Sequence, residues 1–451
     1  MPPLTDPVGM DLDDTLAAAV GRAWTDTAPW EFITELTALG GRMGASEGEA
    51  RAAEVVADAF EEIGLDRVRR QPFDAPEWRR GDTTLRLTAP ADRAFDAIAL
   101  PYSPAGEASG ELVDVGYGTP AEIAEVDVEG RIAVASTTTP GDSRFIHRME
   151  KFGAAAEAGA EAFVFVNHVP GQLPPTGSLT FGEEAAIPAV GVSKETGAWL
   201  TEYASGGGEA DLSVDAETVP SESQNVLART GPATDEEVLV LAHYDGHDIA
   251  EGALDNGCGV ATLLAAARVL AAADLDIGVR FAAVGCEETG LLGSEHLAAT
   301  TDLDGVKAVV NLDGAGRFRD LVAMTHTSES TARVARRVGE RTRQPIEVRE
   351  EPHPFSDQWP FVRRGTAALQ LHSDSGERGR GWGHTHADTR DKVDDRCVRE
   401  HGVLAALMVR ELANEGTEVP VLDPYELEAA FREADFEPGM KAAGLWPEEW
   451  E

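Results

Sequence analysis

The sequence is poor in cysteine and lysine and has no long apolar segment, and each shortage excludes a class of protein. Its three cysteines (Cys258, Cys286 and Cys397) are too few and odd in number for a disulfide framework, and their spacing fits no thiolate zinc site. No apolar run approaches the roughly 20 residues that span a bilayer, so we do not expect an integral membrane protein. The first residues, Met1–Asp6, lack a basic segment followed by an apolar one, so we expect no secretory signal and a cytoplasmic location.

Basic residues are strongly outnumbered by acidic ones. The chain has 38 lysines and arginines against 80 aspartates and glutamates, a formal net charge of −42, and only five of the basic residues are lysines. This charge repels phosphate backbones and anionic lipid, so neither a nucleic acid nor a membrane is an expected partner. The acidic residues are dispersed along the chain, a pattern typical of a high-salt cytoplasm where screening removes the self-repulsion. We therefore predict a halophilic protein, while its oligomeric state stays open.

The length of 451 residues allows two or three domains, and a change in the amino-acid pattern indicates where they lie. From about residue 98 to 216, short apolar runs are broken by glycine, proline, serine and threonine, which predicts a compact, mostly β insertion. The preceding residues favour helices, most clearly Ser46–Ile63, where Ser46 and Glu49 have the spacing of a capping box. The predicted divisions are an N-terminal part of the main domain, the insertion, the rest of the main domain, and an acidic helix with a tail: 1–97, 98–216, 217–420 and 421–451.

Strand-like and helix-like segments alternate from Gln224 onward. The predicted strands are Val238–Ala242, Val279–Val284, Val306–Leu312 and Thr366–Leu371. Repeated βα units imply a mostly parallel sheet covered by helices. The predicted fold class is therefore α/β, with a mostly parallel mixed sheet sandwiched by helices and a mostly β inserted domain.

Acidic and imidazole side chains gather where the predicted strands end. The candidates are His243, Asp245, Asp255, Glu287, Glu288, Asp313 and His384. In open α/β sheets the ligand crevice lies outside the carboxyl ends of the strands. We therefore expect these residues, which are distant in sequence, to converge on one site.

Such a site needs cations, because carboxylates packed closely together repel one another. Imidazole nitrogen and carboxylate oxygen suit zinc, and one carboxylate can bridge two metals roughly 3.5–4 Å apart. The predicted cofactor is a pair of zinc ions, with cobalt or manganese as alternatives. Beside a liganding Glu288, Glu287 would be placed to take a proton from water, and Asp245 to fix the tautomer of His243.

The ordered motifs resemble the M28 family of di-zinc exopeptidases, which includes bacterial leucyl aminopeptidases. The matching segments are His243–Asp245, Gly252–Gly259, Glu287–Ser294, Asp313 and His384–Thr389, and the likeness covers about residues 30–97 and 217–415. The resemblance implies that His243 and Asp313 hold one zinc, that Glu288 and His384 hold the other, and that Asp255 bridges the two and has a cis peptide bond to Asn256. It also implies that Glu287 is the general base, that Asp245 supports His243, and that His386 is not a ligand.

Other residues near these motifs are given ordinary structural interpretations. His247 and Asp248 are interpreted as loop residues, and Cys286 as a small strand-end residue rather than a nucleophile. The remaining histidines are interpreted as structural: His147, His168, His296, His326, His353, His372 and His401.

The insertion resembles a protease-associated (PA) domain, through Gly130–Val134, Lys151–Ala155, Ala158–Ala160 and Ile187–Val190. The resemblance implies a role in restricting or orienting substrates. The chain also departs from the family, because Ser356-Asp357-Gln358 stands where Ser-Asp-His is common and no tyrosine lies nearby. The group that stabilises the oxyanion is therefore open, with His353 as one suggestion.

These residues predict a zinc-dependent exopeptidase, and first an aminopeptidase acting on peptides by attack of a hydroxide held between the metals. An acidic pocket suits a free N-terminal ammonium group. The alternatives are an M28-type carboxypeptidase or dipeptidase, for which Arg317, Arg363 or Arg378 would anchor a carboxylate, and a glutaminyl cyclase. A receptor-like binding protein without hydrolytic power is a further alternative, although such relatives have usually lost ligands that are present here.

Removing salt should destabilise this protein, since repulsion among its acidic residues is then unscreened. The screening length falls from about 10 Å at 0.1 M salt to about 3 Å at 1 M salt. We expect the thermal unfolding midpoint to rise with potassium chloride, and to rise much less with sucrose at equal osmotic strength. Equal stability in low and high salt would contradict the halophile interpretation.

Overall fold

The computed structural model describes residues 13–141, 144–376 and 381–451. Helices α1 (Asp14–Ala23), α2 (Ala28–Ala38) and α3 (Glu47–Ile63) come first and lead into a long strand, β1 (Asp66–Ala89). The segment Met1–Asp6 lies outside the described residues, as does Arg378.

The insertion follows β1 and contains both strands and helices. Its elements are β2 (Arg93–Phe95), β3 (Ile98–Ala99), β4 (Gly106–Asp114), α4 (Pro120–Ala124), β5 (Ile132–Ser136), α5 (Arg148–Glu157), β6 (Ala162–Val166), β7 (Ala189–Val192) and α6 (Lys194–Ala204). Strands β4 to β7 lie side by side in parallel order. The insertion therefore has more helix than a mostly β domain would, because parallel neighbours need crossover connections.

The chain returns through β8 (Glu209–Thr230), which pairs antiparallel with β1 along its length. The rest of the main domain contains β9 (Glu237–His243), α7 (Cys258–Leu270), β10 (Gly278–Val284), α8 (Leu292–Thr300), β11 (Val306–Leu312), β12 (Asp320–Met324), α9 (Glu329–Thr342), β13 (Ile346–Arg349), α10 (Trp359–Val362), β14 (Ala368–Asp374) and α11 (Asp395–Leu412). The predicted division at residue 216 falls inside β8, because this one long strand pairs with β4 of the insertion and with β10 of the main domain.

The centre of the main sheet is parallel and its flanks are antiparallel. Strands β14, β11, β9 and β10 are parallel neighbours, whereas β12 and β8 run antiparallel to β14 and β10. The carboxyl ends of the four central strands therefore meet at one edge. The α/β fold with a mostly parallel mixed sheet, expected from the alternating pattern, is confirmed.

Strand β9 is buried on both faces, as its continuous apolar run indicates. Val238 and Val240 pack into the core on one side with α7 and α11, and Leu239 and Leu241 pack on the other side with Trp359. Each large apolar side chain buried this way contributes about 1.5–3 kcal/mol. Within the described ranges, the segment Ala253–Leu270 is long and apolar enough to cross a membrane, and 94% of it is buried inside the protein, as a core helix would be.

The acidic C-terminal segment differs from the expected peripheral helix and tail. It forms two helices, α12 (Pro424–Glu433) and α13 (Glu437–Ala442), and Trp450 after them is buried. The rings of Phe431 and Trp450 lie 4.8 and 5.8 Å from that of Trp359. These aromatic side chains bury enough apolar area to hold an acidic segment against the sheet.

A fully buried arginine ties the N-terminal helices to the loop that follows β9. Arg42 is 1% exposed, and its guanidinium donates hydrogen bonds to the carbonyl oxygens of Tyr244, Glu251 and Gly252. Its own carbonyl accepts the N–H of Gly246 at 3.0 Å. Four backbone groups of the loop thus depend on one residue that lies some 200 positions earlier in the chain.

Replacing this arginine should loosen the loop and destabilise the fold. The Arg42→Met variant leaves buried carbonyls without donors, so we expect the free energy of unfolding to fall by about 3 kcal/mol. Arg51→Met, on the exposed side of α3, is the matched control and should change it by less than about 0.5 kcal/mol. Denaturant unfolding of both variants measures this, and equal midpoints would show that the guanidinium does not hold the loop.

Candidate metal centre

The ends of three parallel strands deliver acidic and imidazole side chains to one place. His243 is the last residue of β9, Glu287 and Glu288 follow β10, and Asp313 follows β11 directly. Because these strands are parallel neighbours, the side chains share one edge of the sheet. His384 reaches the same edge from the loop after β14.

Asp255 lies in the turn between β9 and α7. Its peptide bond to Asn256 is cis, as the family resemblance implies. The carboxylate of Asp388 accepts the N–H groups of Leu254 and Asp255 at 2.6 and 3.0 Å. Asp388, the acidic residue of the late His-Thr motif, therefore positions the turn and is not itself a predicted ligand.

Two motif glycines are required by close backbone approach. A Cβ on Gly259 would lie 2.0 Å from the side-chain oxygen of Asn256 and 2.4 Å from the carbonyl oxygen of Leu312. A Cβ on Gly293 would lie 2.4 Å from the carbonyl oxygen of Gly285. Any larger residue would push these helices away from the strand ends that carry the acidic groups.

The two carboxylate oxygens of Asp255 face different imidazoles. His243 Nε2 lies 3.6 Å from Asp255 Oδ1, and His384 Nε2 lies 3.5 Å from Asp255 Oδ2. Asp313 Oδ1 is 4.0 Å from His243 Nε2, and Glu288 Oε2 is 3.0 Å from His384 Nε2. The structure thus brings together the first half-site (His243, Asp255, Asp313) and the second half-site (Asp255, Glu288, His384).

Asp245 orients several of these groups at once. Its Oδ1 lies 3.3 Å from His243 Nδ1, the nitrogen that faces away from Asp255. Its two oxygens accept the N–H groups of Glu287 and Glu288, both at 3.1 Å. One buried carboxylate therefore fixes an imidazole ring and the backbone of both glutamates.

The segment that departs from the family pattern supports the first half-site. Ser356 Oγ donates to Asp313 Oδ2 at 2.7 Å, and Asn311 donates to both Ser356 Oγ and Gln358 Oε1. Asp357 is fully buried, and burial raises its pKa to about 7, a rise that nearby carboxylates increase and His243 opposes. Gln358 thus takes a scaffold role at the position where the family often has histidine.

Glu49 supports the turn before Glu287 from inside the core, although its spacing from Ser46 predicts a helix cap. The predicted capping box is only half formed, because Ser46 caps α3 while the Glu49 carboxylate turns into the core. There it accepts the N–H groups of Ala45 and Cys286 and the hydroxyl of Ser223, at 2.7, 2.9 and 2.7 Å. The tertiary partners outcompete the local cap, and the turn before Glu287 is held as a result.

Cys286 lies in that turn with a left-handed backbone, φ 57°. Burial raises the pKa of its thiol well above the ordinary value, and the Glu49 carboxylate raises it further. A nucleophilic cysteine needs the opposite shift, so the geometry favours the small strand-end residue that the sequence suggests.

The cluster holds more negative charge than buried carboxylates tolerate. Burial raises the pKa of Glu287 well above its usual range; His243 opposes this, and Glu288 and Asp313 add to it. Burial also acts to raise the pKa of Glu288, but His247 and His384 bring it well below its ordinary value. Cations among these groups would remove the conflict.

The donor set fits divalent metal ions. Two groups offer ligand atoms that lie within 4.8 Å of one another, His243 with Glu287 and Asp313, and His247 with Glu288 and His384. Among the described residues, the buried Oε1 of Glu288 has no hydrogen-bond partner. A mixed set of imidazole nitrogens and carboxylate oxygens is what zinc takes at catalytic sites.

Of two histidines near the motifs, one agrees with its interpretation from the sequence and the other does not. His386 is exposed and belongs to neither group of ligand atoms, in keeping with the choice of His384. His247, interpreted as a loop residue, is instead buried against Glu288, with Nε2 at 3.0 Å from Oε2. Its motif neighbours His243 and Asp245 gave no spacing signal for this contact.

Two of the three arginines considered as carboxylate anchors, Arg317 and Arg363, pair with carboxylates of the protein. Arg317 Nη2 lies 2.9 Å from Asp255 Oδ1, within the cluster itself. Arg363 pairs with Glu295 of α8 at 2.5 Å. Arg317 therefore supplies positive charge to the bridging carboxylate.

A cavity of about 290 Å³ opens beside the acidic cluster. Its apolar wall is formed by Phe181, Leu291, Met324 and Phe355. His147, His353 and His372 also line it, each from a different loop or strand. His353, suggested above as an oxyanion group, therefore lies at the cavity, whereas nothing in the local sequence of His147 and His372 indicated this position.

The insertion reaches into the second half-site. The carbonyl oxygen of Thr176 lies 3.2 Å from His384 Nδ1, and the Thr176 N–H donates to the His384 carbonyl at 2.8 Å. Ser178 Oγ donates to the Glu288 carbonyl at 2.5 Å. The segment of residues 176–182 therefore contacts His384 and Glu288, the two predicted ligands that belong to this half-site alone. No sequence motif indicated these contacts.

Known proteins resemble the chain over most of its length. The profile of peptidase family M28 matches residues 225–409, and that of the PA domain matches residues 108–200. Aminopeptidase YwaD of Bacillus subtilis is 29% identical over 404 residues, 85% of this chain and 84% of that protein. The structure of BSAP, a zinc aminopeptidase from Bacillus subtilis, has a TM-score of 0.68 at 27% identity, covering 90% of this chain and 98% of that one.

The fold is shared more widely. A peptidase M28 precursor from Shewanella amazonensis SB2B has a TM-score of 0.78 at 23% identity, over 91% of this chain and 99% of that one. The M28 profile spans every segment from His243 to His384, and the PA profile lies between β1 and β8. These likenesses, to peptidase family M28 over residues 225–409 and to the PA domain over residues 108–200, support a metallo-exopeptidase of the M28 type with an inserted PA domain.

Proposed function

We propose that this protein is an aminopeptidase that uses two zinc ions to remove N-terminal residues from peptides. The observation that carries the proposal is the buried Asp255, whose two oxygens each face a separate imidazole at 3.6 and 3.5 Å beside an open cavity. The names of YwaD and BSAP support an aminopeptidase rather than a cyclase or carboxypeptidase.

The residues of the two half-sites would hold the ions. His243, Asp255 and Asp313 would hold the ion of the first half-site. Asp255, Glu288 and His384 would hold the ion of the second half-site. When bound, zinc polarises the carbonyl of the scissile bond and lowers the pKa of water to near neutrality.

Glu287 is the base in this proposal. Its backbone is held by Asp245, and its side chain lines the cavity next to His243 and Asp313. A carboxylate there takes a proton from the attacking water and passes it to the leaving amine. The pKa of Glu287, raised first by burial, suits an acid that must release this proton again.

The charge of the site favours an N-terminal ammonium group. Five carboxylates crowd the strand ends, from Asp255, Glu287, Glu288, Asp313 and Asp357, and the nearest arginine, Arg317, is already bound to one of them. An ammonium group would be attracted to carboxylate oxygens of this cluster that the metals do not take up. The insertion would orient the peptide, since Phe181 and His147 form part of the cavity wall.

A salt-rich cytoplasm is the proposed setting. The net charge of −42 with only five lysines supports it, because such a surface keeps a protein folded and dispersed where salt screens repulsion.

The Glu287→Gln variant tests the base. It keeps the shape of the side chain but cannot accept the proton, so we expect kcat to fall by about 10²–10⁴-fold. Elemental analysis should find the same zinc content as in the unchanged protein. Glu184→Gln, exposed on the insertion, is the matched control and should be fully active. Retained turnover in Glu287→Gln would remove this residue from the base role.

Chelation tests the metals. Dialysis against a strong chelator should abolish peptide hydrolysis, because the acidic cluster then loses its Lewis acids, and added zinc or cobalt should restore it. The measurement is hydrolysis together with metal content per chain. Activity that persists in metal-free protein would end the proposal.

Peptides blocked at either end test the direction of cleavage. A peptide with a free amino terminus and an amidated carboxyl terminus should be shortened from its first residue, because the ammonium group enters the acidic site. An N-acetylated peptide should be inert. Mass spectrometry of the products reads the outcome: release of C-terminal residues would indicate a carboxypeptidase, and loss of ammonia from N-terminal glutamine a cyclase.

A further inference from the structure

His247 is a buried imidazole whose ring nitrogens lack ordinary partners. The residue is 5% exposed, and among the described residues neither Nδ1 nor Nε2 makes a hydrogen bond of acceptable geometry. Nε2 nevertheless lies 3.0 Å from Glu288 Oε2, and the ring is edge-on to that of His384 with centroids 4.4 Å apart. Nδ1 has no hydrogen-bond partner among the described residues, and a cation shared by Nε2 and the Glu288 carboxylate would also account for their close approach.

A small cavity lies between this ring and the second half-site. Its volume is about 10 Å³, and His247, Asp255, Glu288 and His384 are among its lining residues. A space of about 10–15 Å³ holds one particle of the size of a water molecule. Three of these residues, His247, Glu288 and His384, offer ligand atoms within 4.8 Å of one another, and Asp255 lines the same space, so four donors of the kinds that zinc takes surround it.

The backbone on both sides of His247 is anchored. Gly246 is bound to the carbonyl of Arg42, and Asp248 forms a bidentate pair with Arg80 at 2.7 and 2.8 Å. The ring between these anchors therefore has a defined position. This is the arrangement expected of a ligand whose geometry must not vary.

We propose that His247 is a fourth protein ligand of the second half-site, beside Asp255, Glu288 and His384. The inference rests on the proposed function only in requiring that the cluster binds metal. It makes the half-sites unequal, because the second would offer two imidazole nitrogens and the first only that of His243.

The inequality has chemical consequences. Imidazole ligands favour zinc and cobalt, whereas carboxylates favour manganese and magnesium. The second half-site would therefore hold zinc tightly and selectively, with its coordination filled by the protein. The first would exchange its metal more readily and keep the open position that a reacting water needs.

Metal affinity is the test, measured on the full chain without reference to activity. The metal-free protein is equilibrated with zinc buffered by graded chelators, and bound zinc is counted by elemental analysis. The unchanged protein should bind two ions with clearly different affinities. His247→Ala should weaken binding of the tighter ion by about 100-fold or more, at or beyond the upper end of the 10–100-fold that losing an outer-shell partner costs. The control His386→Ala removes an exposed histidine of the same loop as His384 and should match the unchanged protein.

A second variant separates a ligand from a hydrogen-bond donor. If His247 only donates to the Glu288 carboxylate, His247→Gln should restore zinc affinity, and that result would overturn the proposal. Unchanged affinity in His247→Ala would overturn it as well. Equal loss in both variants is the expected outcome.

A crystal of the zinc-loaded, unsubstituted protein decides the matter even if the variants fail to fold. Anomalous density should place zinc about 2.0–2.1 Å from Nε2 of His247. A distance beyond about 3 Å would overturn the proposal. Absence of any zinc binding would instead contradict the proposed function, so the two failures are distinguishable.

Discussion

The structure depends on the need to neutralise acidic groups that the fold buries together. Asp255 is the centre of this requirement, because it lies between two imidazoles and the guanidinium of Arg317 and is almost inaccessible to water. Burial alone would raise the pKa of Asp255; Arg317 and the histidines bring it below its ordinary value. A carboxylate kept ionised in such a place is prepared for cations, and metal binding in turn stabilises the folded arrangement.

A second set of buried acidic residues holds the predicted ligands and base in place. Asp245, Asp388 and Glu49 all accept backbone N–H groups from the turns that carry the predicted ligands and base. Side-chain acceptors for orphan N–H groups are common at turns, but here they come from remote segments. The same bonds therefore position the site and join the N-terminal helices, the strand ends and the late loop into one body.

The features that the sequence could predict are those set by residues close together in the chain. The strands, their buried apolar runs and the acidic residues just beyond them lie within short windows, so the α/β fold and the converging motifs were readable. Thr176 and Ser178 were not, because their contacts to His384 and Glu288 span 208 and 110 residues. Glu49 shows the same limit, since its local spacing predicts a cap and a contact 237 residues away replaces it.

The inserted domain has a structural part in the site beyond covering the cavity. His384 adopts a left-handed backbone, φ 58°, which is unfavourable for a side chain of its size, and both its carbonyl and its ring are bound by Thr176. Glu288 is fixed from the same segment through Ser178. Docking of the insertion is therefore coupled to the arrangement of the second half-site, because the inserted segment holds both His384 and Glu288.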